Sequence, residues 1–396
     1  MRTSLVEGID WVGHIDWTVR DFHGYATERG SSYNAYLIRD EKIALIDSVK
    51  DRFAAQLLAH ISDFVEPEKI SYVVCNHAEP DHSGALPEVM KICPDAELVC
   101  NAKCRDSLAK HFDTASWKFK IVTDGDTLSL GKRTLSFMNT PMVHWPESMF
   151  TYVQEDHILF SMDAFGQHLA SAYRFDYQEP LDTVMEEAKK YFANIVMLYT
   201  RPIARVLERA AEMQIEMIAP SHGVIWQKNI GDIITAYEDW VAHKNRAKVL
   251  VIYDTMWKST EKMAIAVLRG AQEREIDARL IHVRATNITN IATEVLDSAA
   301  VAFGSPTLNQ TLMPEMAAAL TYLKGLRPSD KSCVVFGSYG WSKGAAKDIE
   351  TYLNDMKFNI IREPIQSQFA PTQEILEECR VAGRELADIA AKGDDG

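Results

Sequence analysis

Long apolar runs, an excess of positive charge and paired cysteines are all missing from this sequence, and each absence removes a class of function. The longest apolar stretches are short, as in Lys248-Val249-Leu250-Val251-Ile252-Tyr253. A bilayer needs about 20 such residues in a row, so no membrane partner is expected. Lysine and arginine number 42 against 56 aspartates and glutamates, a formal net charge of −14 with no local basic patch. Nucleic acid and anionic lipid surfaces would be repelled. The six cysteines (Cys75, Cys93, Cys100, Cys104, Cys333 and Cys379) form no C-x-x-C pair, which rules out an appended rubredoxin-type or zinc-ribbon module. Cys75 and Cys333 lie in apolar strand-like runs and read as reduced core residues, as do Cys100 and Cys104. The start of the chain carries Glu7, Asp10 and Asp16 instead of a basic segment followed by an apolar one. No secretory signal is read there, and a cytoplasmic address is expected.

What is present is dense in one place. Asn76-His77-Ala78-Glu79-Pro80-Asp81-His82-Ser83-Gly84 puts four side chains able to bind metal within six residues, directly after the buried strand-like run Ile70 to Val74. Several charged groups packed so closely cannot be buried unpaired, and a shared cation satisfies them together. Three further candidates close later strand-like runs: His144 before Trp145-Pro146, Asp163 after Ile158 to Met162, and His222 before Gly223. Strand ends are where α/β folds gather their sites.

At 396 residues the chain is long enough for two or three domains. The first part, to about 165, alternates short strands with a few helices, which predicts a layered α/β arrangement. A hairpin is expected where Ser32–Ile38 and Ile43–Asp47 flank Arg39-Asp40-Glu41-Lys42, with a helix over Arg52–Phe64 and a helix-like Ala85–Lys91 after the ligand loop. Residues 166–246 read as mainly helical, and Asn245-Arg246-Ala247-Lys248 reads as a linker, so the domains are predicted as 1–246 and 247–396.

The second domain shows five βα units in about 145 residues, with strands near 249–253, 279–283, 299–304, 333–337 and 358–361. That is the pattern of a doubly wound parallel sheet of the flavodoxin type. Its first strand runs into Thr255-Met256-Trp257-Lys258-Ser259-Thr260 and then a helix. Hydroxyls and the N–H groups of a helix N-terminus can hold a phosphate there without any arginine, as in the flavodoxin phosphate loop that the segment resembles. Ser305-Pro306-Thr307-Leu308-Asn309 and Ser338-Tyr339-Gly340-Trp341-Ser342 end two further strands, where backbone groups can approach the flavin ring and Trp341 or Tyr339 can stack on it. Three such loops, with no G-x-G-x-x-G fingerprint, select FMN over a nicotinamide dinucleotide.

The ligand loop resembles the signature H-x-H-x-D-H of the metallo-β-lactamase fold, followed downstream by His, Asp and His; here Glu79 replaces the second histidine. That replacement, joined to a flavin domain, is similar to the flavodiiron proteins, over almost the whole chain. The resemblance implies an N-terminal metallo-β-lactamase-like αββα domain and a flavodoxin-like doubly wound sheet, holding two non-haem irons and FMN. It implies that His77, Glu79 and His144 hold one iron, Asp81 and His222 the other, and Asp163 bridges; whether His82 also ligates is left open. The donor set agrees, since mixed histidine and carboxylate ligands suit redox-active iron. Such a protein reduces O2 to water, NO to N2O, or both, with electrons from rubredoxin or a similar carrier, and is expected as a head-to-tail homodimer or dimer of dimers. Aromatic and apolar residues around Tyr191–Leu198 are expected at an interface or in the core. The rival readings are a dinuclear-metal hydrolase fused to a flavodoxin-like domain, and an electron carrier with a docking scaffold.

Overall fold

The computed structural model describes residues 3–392, and it divides by packing into two units. One holds the chain up to Phe192 together with Arg201–Glu238; the other holds Ala193–Thr200 and the chain from Asp239 onward. Among the described residues no helix is long and apolar enough to cross a membrane.

The first unit is built on a seven-stranded mixed sheet and a five-stranded sheet. Side chains alternate across a strand, so each strand of a buried sheet feeds two cores. Leu37, Leu45, Val73 and Leu98 pack on one face with Leu57, Ile61, Leu86 and Leu108 from the helices Ala54–Ser62, Leu86–Ile92 and Ala102–His111. Their neighbours Tyr36, Ile38, Ile46 and Val74 face the other way, onto Leu135, Phe137, Met149 and Phe160 of the second sheet. Phe150, Leu159 and Ile218, of opposite parity in that second sheet, are also buried. Both faces of both sheets are therefore covered, which is the αββα layering.

The expected hairpin forms between Tyr36–Ile38 and Ile43–Ile46, which pair antiparallel. Its first run, however, breaks at Asn34-Ala35. Ser31–Tyr33 pairs with His14–Asp16 in a separate ribbon, because Asn34 turns its amide to the carbonyls of Pro220 and Gly223.

The second unit is a parallel sheet with the strands in the order Asp277–His282, Arg246–Tyr253, Ser298–Gly304, Ser332–Tyr339 and Asn359–Ile360. This is strand order 2-1-3-4-5, and every pairing is parallel. Arg246, Ala247 and Lys248 are strand residues, not linker. Lys248 is buried with its ammonium on Asp297 and 3.1 Å from Glu294 Oε2, and the Arg246 N–H donates to the Asp297 carbonyl at 2.9 Å. A further strand, Ile365–Gln368, pairs with the end of Ser332–Tyr339. Tyr191, Phe192, Ala193, Val196 and Met197 are buried within the chain, whereas Ile195 and Leu198 of the same segment are partly exposed.

Candidate metal centre and flavin cavity

The ligand loop is only half a loop. His77 and Glu79 lie two residues apart in the connection between the strand Ile70–Val74 and the turn, and their side chains converge, His77 Nε2 standing 3.1 Å from Glu79 Oε2. Pro80, with its preset φ, then starts the single helical turn Pro80–Ser83. Asp81 and His82 belong to that turn and face a different point. Asp163 follows Met162, whose φ of +56° is a left-handed conformation uncommon outside glycine and swings the chain out of the strand. Gly223 after His222 has φ +81°, and a Cβ there would lie 2.1 Å from Gln167 Oε1, so only glycine lets His222 sit where it does.

These turns bring all seven predicted ligands together. His77, Glu79, His144 and Asp163 form one group, and Asp81, His82 and His222 a second. In the first, Glu79 Oε2 is 3.1 Å from His77 Nε2 and 3.2 Å from His144 Nε2. Asp163 Oδ2 is 3.4 and 3.1 Å from the same two nitrogens. In the second, Asp81 Oδ2 is 3.1 Å from His222 Nε2 and 3.4 Å from His82 Nε2. The other oxygen of Asp163, Oδ1, is 3.0 Å from His82 Nε2 and 3.4 Å from His222 Nε2. Donor atoms about 2.1 Å from a common ion stand about 3.0–3.4 Å apart, so each group has the span of a coordination shell. Asp163 offers one oxygen to each. Asp81 Oδ1, both Asp163 oxygens and both His82 nitrogens are buried without a geometrically sound hydrogen bond, as befits groups shaped for a cation.

The electrostatics agree. Burial would lower the His77 imidazole, but hydrogen bonds to Glu147 and Glu79 and the nearby Asp163 outweigh it and hold it well above its ordinary range. By the same balance His144 is raised to about 9 and His222 to about 10, through Asp163 with Glu79 and with Asp81 respectively. Burial would raise the Asp163 and Glu79 carboxyls, yet the surrounding histidines hold both below the usual carboxylate range. Carboxylates trapped this way retain protons on the imidazoles until a cation takes the protons' place.

Several further residues surround the cluster. Glu147 Oε1 lies 2.9 Å from His77 Nδ1 and accepts the Ala78 N–H at 3.2 Å. The carbonyl of Ser32 lies 2.6 Å from His222 Nδ1. His168, buried and kept neutral by burial and by His222, has Nδ1 2.9 Å from Ser31 Oγ and packs at a tilt against the rings of Phe22 and Tyr191. His23 is half exposed, with Nε2 3.4 Å from Glu79 Oε1. None of these stands at a spacing that marks a ligand in the sequence; only the E of H-W-P-E, three residues past His144, offered a signal.

In the second unit a cavity of about 710 Å³ opens at the ends of the first, third and fourth strands in chain order. It is lined by Met256, Trp257 and Ser259, by Pro306, Thr307 and Asn309, and by Ser338, Tyr339, Gly340, Trp341 and Ser342 from the three predicted loops. Gln310, Phe369 and Ala370 complete it, the last two following the strand Ile365–Gln368. Thr255, Lys258, Thr260, Ser305 and Leu308 do not line it. Ser305 Oγ is spent on the Pro306 carbonyl and the Met313 N–H, Leu308 pairs with Thr311, and Thr260 Oγ1 lies 3.0 Å from Ser338 Oγ. Thr255 Oγ1 is buried with no hydrogen-bond partner at the root of the phosphate loop. Trp257 and Trp341 are 89% and 92% exposed, aromatic walls standing free at the cavity rim.

A dinuclear histidine and carboxylate cluster on an αββα unit, joined to a doubly wound sheet with a flavin-sized cavity, defines a metal-dependent flavoprotein oxidoreductase. Residues 32–223 match the ODP family beta lactamase, and residues 251–383 match Flavodoxin. The chain is 43% identical to the nitric oxide reductase of Moorella thermoacetica, over 97% of this chain and 98% of that protein. It superposes on the flavodiiron protein of Giardia intestinalis with TM-score 0.98 at 40% identity, covering 100% and 98% of the two chains. With the rubredoxin oxygen:oxidoreductase of Desulfovibrio gigas the TM-score is 0.97 at 36% identity, covering 99% of each. The chain belongs to the flavodiiron protein family, and its cofactors are FMN and a non-haem pair of irons.

Proposed function

We propose that the protein reduces O2 to water, NO to N2O, or both, with electrons entering at FMN from rubredoxin or a similar carrier. The single observation that carries the site assignment is the division of Asp163, one oxygen facing His77 and His144, the other His82 and His222. His77, Glu79 and His144 would hold one iron, Asp81 and His222 the other, with Asp163 between them and the orphaned Nε2 of His82 in reach of the second. Bound iron and flavin supply the electrons: four for O2 with four protons to give two waters, or two for a pair of NO with two protons to give N2O and water. The chain supplies position and protons. Its histidines and carboxylates fix the two ions, while His23 connects Glu79 to solvent and can relay the protons consumed. Beside the cavity, at the root of the phosphate loop, the unpartnered Thr255 hydroxyl and the N–H groups opening the helix Ser259–Gln272 suit the phosphate, and in the cavity wall Trp257 and Trp341 suit the ring.

The working unit is proposed as a head-to-tail homodimer, or a dimer of such dimers, in which the flavin unit of one chain faces the metal unit of another. The exposed Trp257, Trp341 and Phe369 around the cavity support it, since clustered exposed aromatics mark surfaces that something covers. A cytoplasmic location fits the six buried, unpaired thiols. The test is anaerobic purification, a count of iron and flavin, and turnover of each gas with reduced rubredoxin. Two irons, one FMN and consumption of at least one gas are expected. Zinc in place of iron with ester hydrolysis, or flavin with no metal and no gas turnover, would overturn the reading.

A further inference from the structure

Resting on the ligand assignment above, we infer that Glu147 is a positioning residue for His77, and that it makes the His77 metal site the tighter of the two. Its side chain is 2% exposed and has been carried inside as a carboxylate to a place where its Oε1 meets the imidazole Nδ1 at 2.9 Å and the Ala78 N–H at 3.2 Å. A carboxylate oxygen only accepts, so the hydrogen must sit on Nδ1. That leaves Nε2, the atom facing Glu79 and Asp163, as the lone-pair donor. The ring is thereby fixed in tautomer and in rotation, and the carboxylate raises its basicity toward a cation.

The backbone around Glu147 is tied down in turn. Asn101 Nδ2 donates to the Glu147 carbonyl at 2.7 Å, Trp145 N–H to Ser148 Oγ at 3.1 Å, and Thr140 N–H to the Ser148 carbonyl at 2.9 Å. The same short segment carries His144, so one braced loop sets two ligands of one ion. The second group is held differently. The partner of His222 Nδ1 is a neutral carbonyl, that of Ser32, and His82 Nδ1 is buried with no partner. Among the described residues, only the first group has a buried carboxylate hydrogen-bonded directly behind a ligand imidazole, and that difference separates the affinities of two sites that share Asp163.

Anaerobic Fe2+ titration of the flavin-loaded full chain, with competing chelator, reads both equivalents at once, and FMN content and the thermal midpoint are taken on the same samples. E147L should weaken one of the two equivalents by about 10- to 100-fold. E147Q, which keeps an acceptor oxygen at Nδ1 but no charge, should fall between E147L and the unaltered chain, and it decides the matter if E147L does not fold. The second equivalent, the FMN content and the thermal midpoint of E147Q should stay near their original values. Unchanged binding of both irons in both variants overturns the inference, as does a loss of both together with a falling midpoint, which marks a merely structural role. If the unaltered chain binds no pair of irons, the functional reading fails and takes this inference with it.

Discussion

The two cofactor sites are built on opposite principles. The metal centre is charged, buried and rigidly framed: six of its seven ligand residues or their close neighbours are fixed by strand ends, a helical turn and Gly223, and their donors stand 3.0–3.4 Å apart. The flavin cavity is nearly uncharged, open and walled by loops whose largest side chains, Trp257 and Trp341, project into solvent. Small hard ions need donors placed within a few tenths of an ångström, and only packed backbone delivers that. A planar ring some ten ångströms long is held by many weak contacts and tolerates mobile walls. A centre of the first kind should therefore fail at single residues, and one of the second kind should weaken by degrees.

The strongest break in that contrast is Asp163→Asn. An amide cannot balance two cations, so metal retention should fall by more than about 100-fold, beyond the loss from an outer-sphere partner. Gas reduction should go with it, while FMN remains bound because the second unit is untouched. Iron and flavin counted in one sample give the answer: two irons retained in the variant would mean that Asp163 is not shared.

A graded effect is expected from Thr255→Val. The hydroxyl is buried with no hydrogen-bond partner from the chain, so its removal leaves no protein group unsatisfied, and the urea midpoint measured without FMN should hold or rise slightly. With FMN present a bond to a charged phosphate is lost, worth about 1.5–3 kcal/mol, or roughly 10- to 150-fold in affinity. Fluorescence titration with FMN measures it. Equal affinities in the two proteins would show that Thr255 Oγ1 never meets the phosphate.

The same contrast explains what the sequence disclosed. Metal ligands were legible because His77, Glu79, Asp81 and His82 are packed into six positions and the remaining three close apolar runs, a chemical pattern needing no three-dimensional knowledge. His168 was not, since its partner Ser31 lies more than a hundred residues away and leaves no local spacing, and Glu147 offered only its place three residues past His144 while its partner His77 lies 70 residues back. In the second unit, the loops after Tyr253, Gly304 and Phe336 were read from glycine, serine and threonine at strand ends. The strand Ile365–Gln368 was missed because Ile-Gln-Ser-Gln lacks an apolar run, and with it went Phe369 and Ala370 in the cavity wall. Arg246 to Lys248 looked like a linker because charge at a strand's start is invisible as strand until Asp297 and Glu294 are seen to receive it. The short N-terminal strands, from Thr3–Val6 to Tyr25–Ala26, are two to four residues each and too brief for alternation to register.

The smallest effect concerns buried charge itself. In the metal unit, each of the four ligand imidazoles faces carboxylates; in the flavin unit, Lys331 is buried with two neutral acceptors, Asn245 Oδ1 at 2.5 Å and the Leu296 carbonyl at 3.0 Å. Burial pushes its ammonium down to about 7, with Asp297 only partly opposing. The folded chain therefore releases this proton near pH 7, whereas the unfolded chain keeps it to about 10.4. Between those values the unfolded state binds more protons, so stability rises with pH. Below about pH 7 both states are charged and the contribution is flat, at its least favourable. Lys331→Met removes the titration and leaves two acceptors unpaired, a cost that does not depend on pH. The urea midpoint for FMN release should climb from pH 7 to 9 in the unaltered chain by more than in the variant, a difference of roughly 1–3 kcal/mol over those two units. Parallel pH profiles would mean that Lys331 keeps its proton when folded, and that this unit, like the metal centre, tolerates buried charge only where an opposite charge answers it.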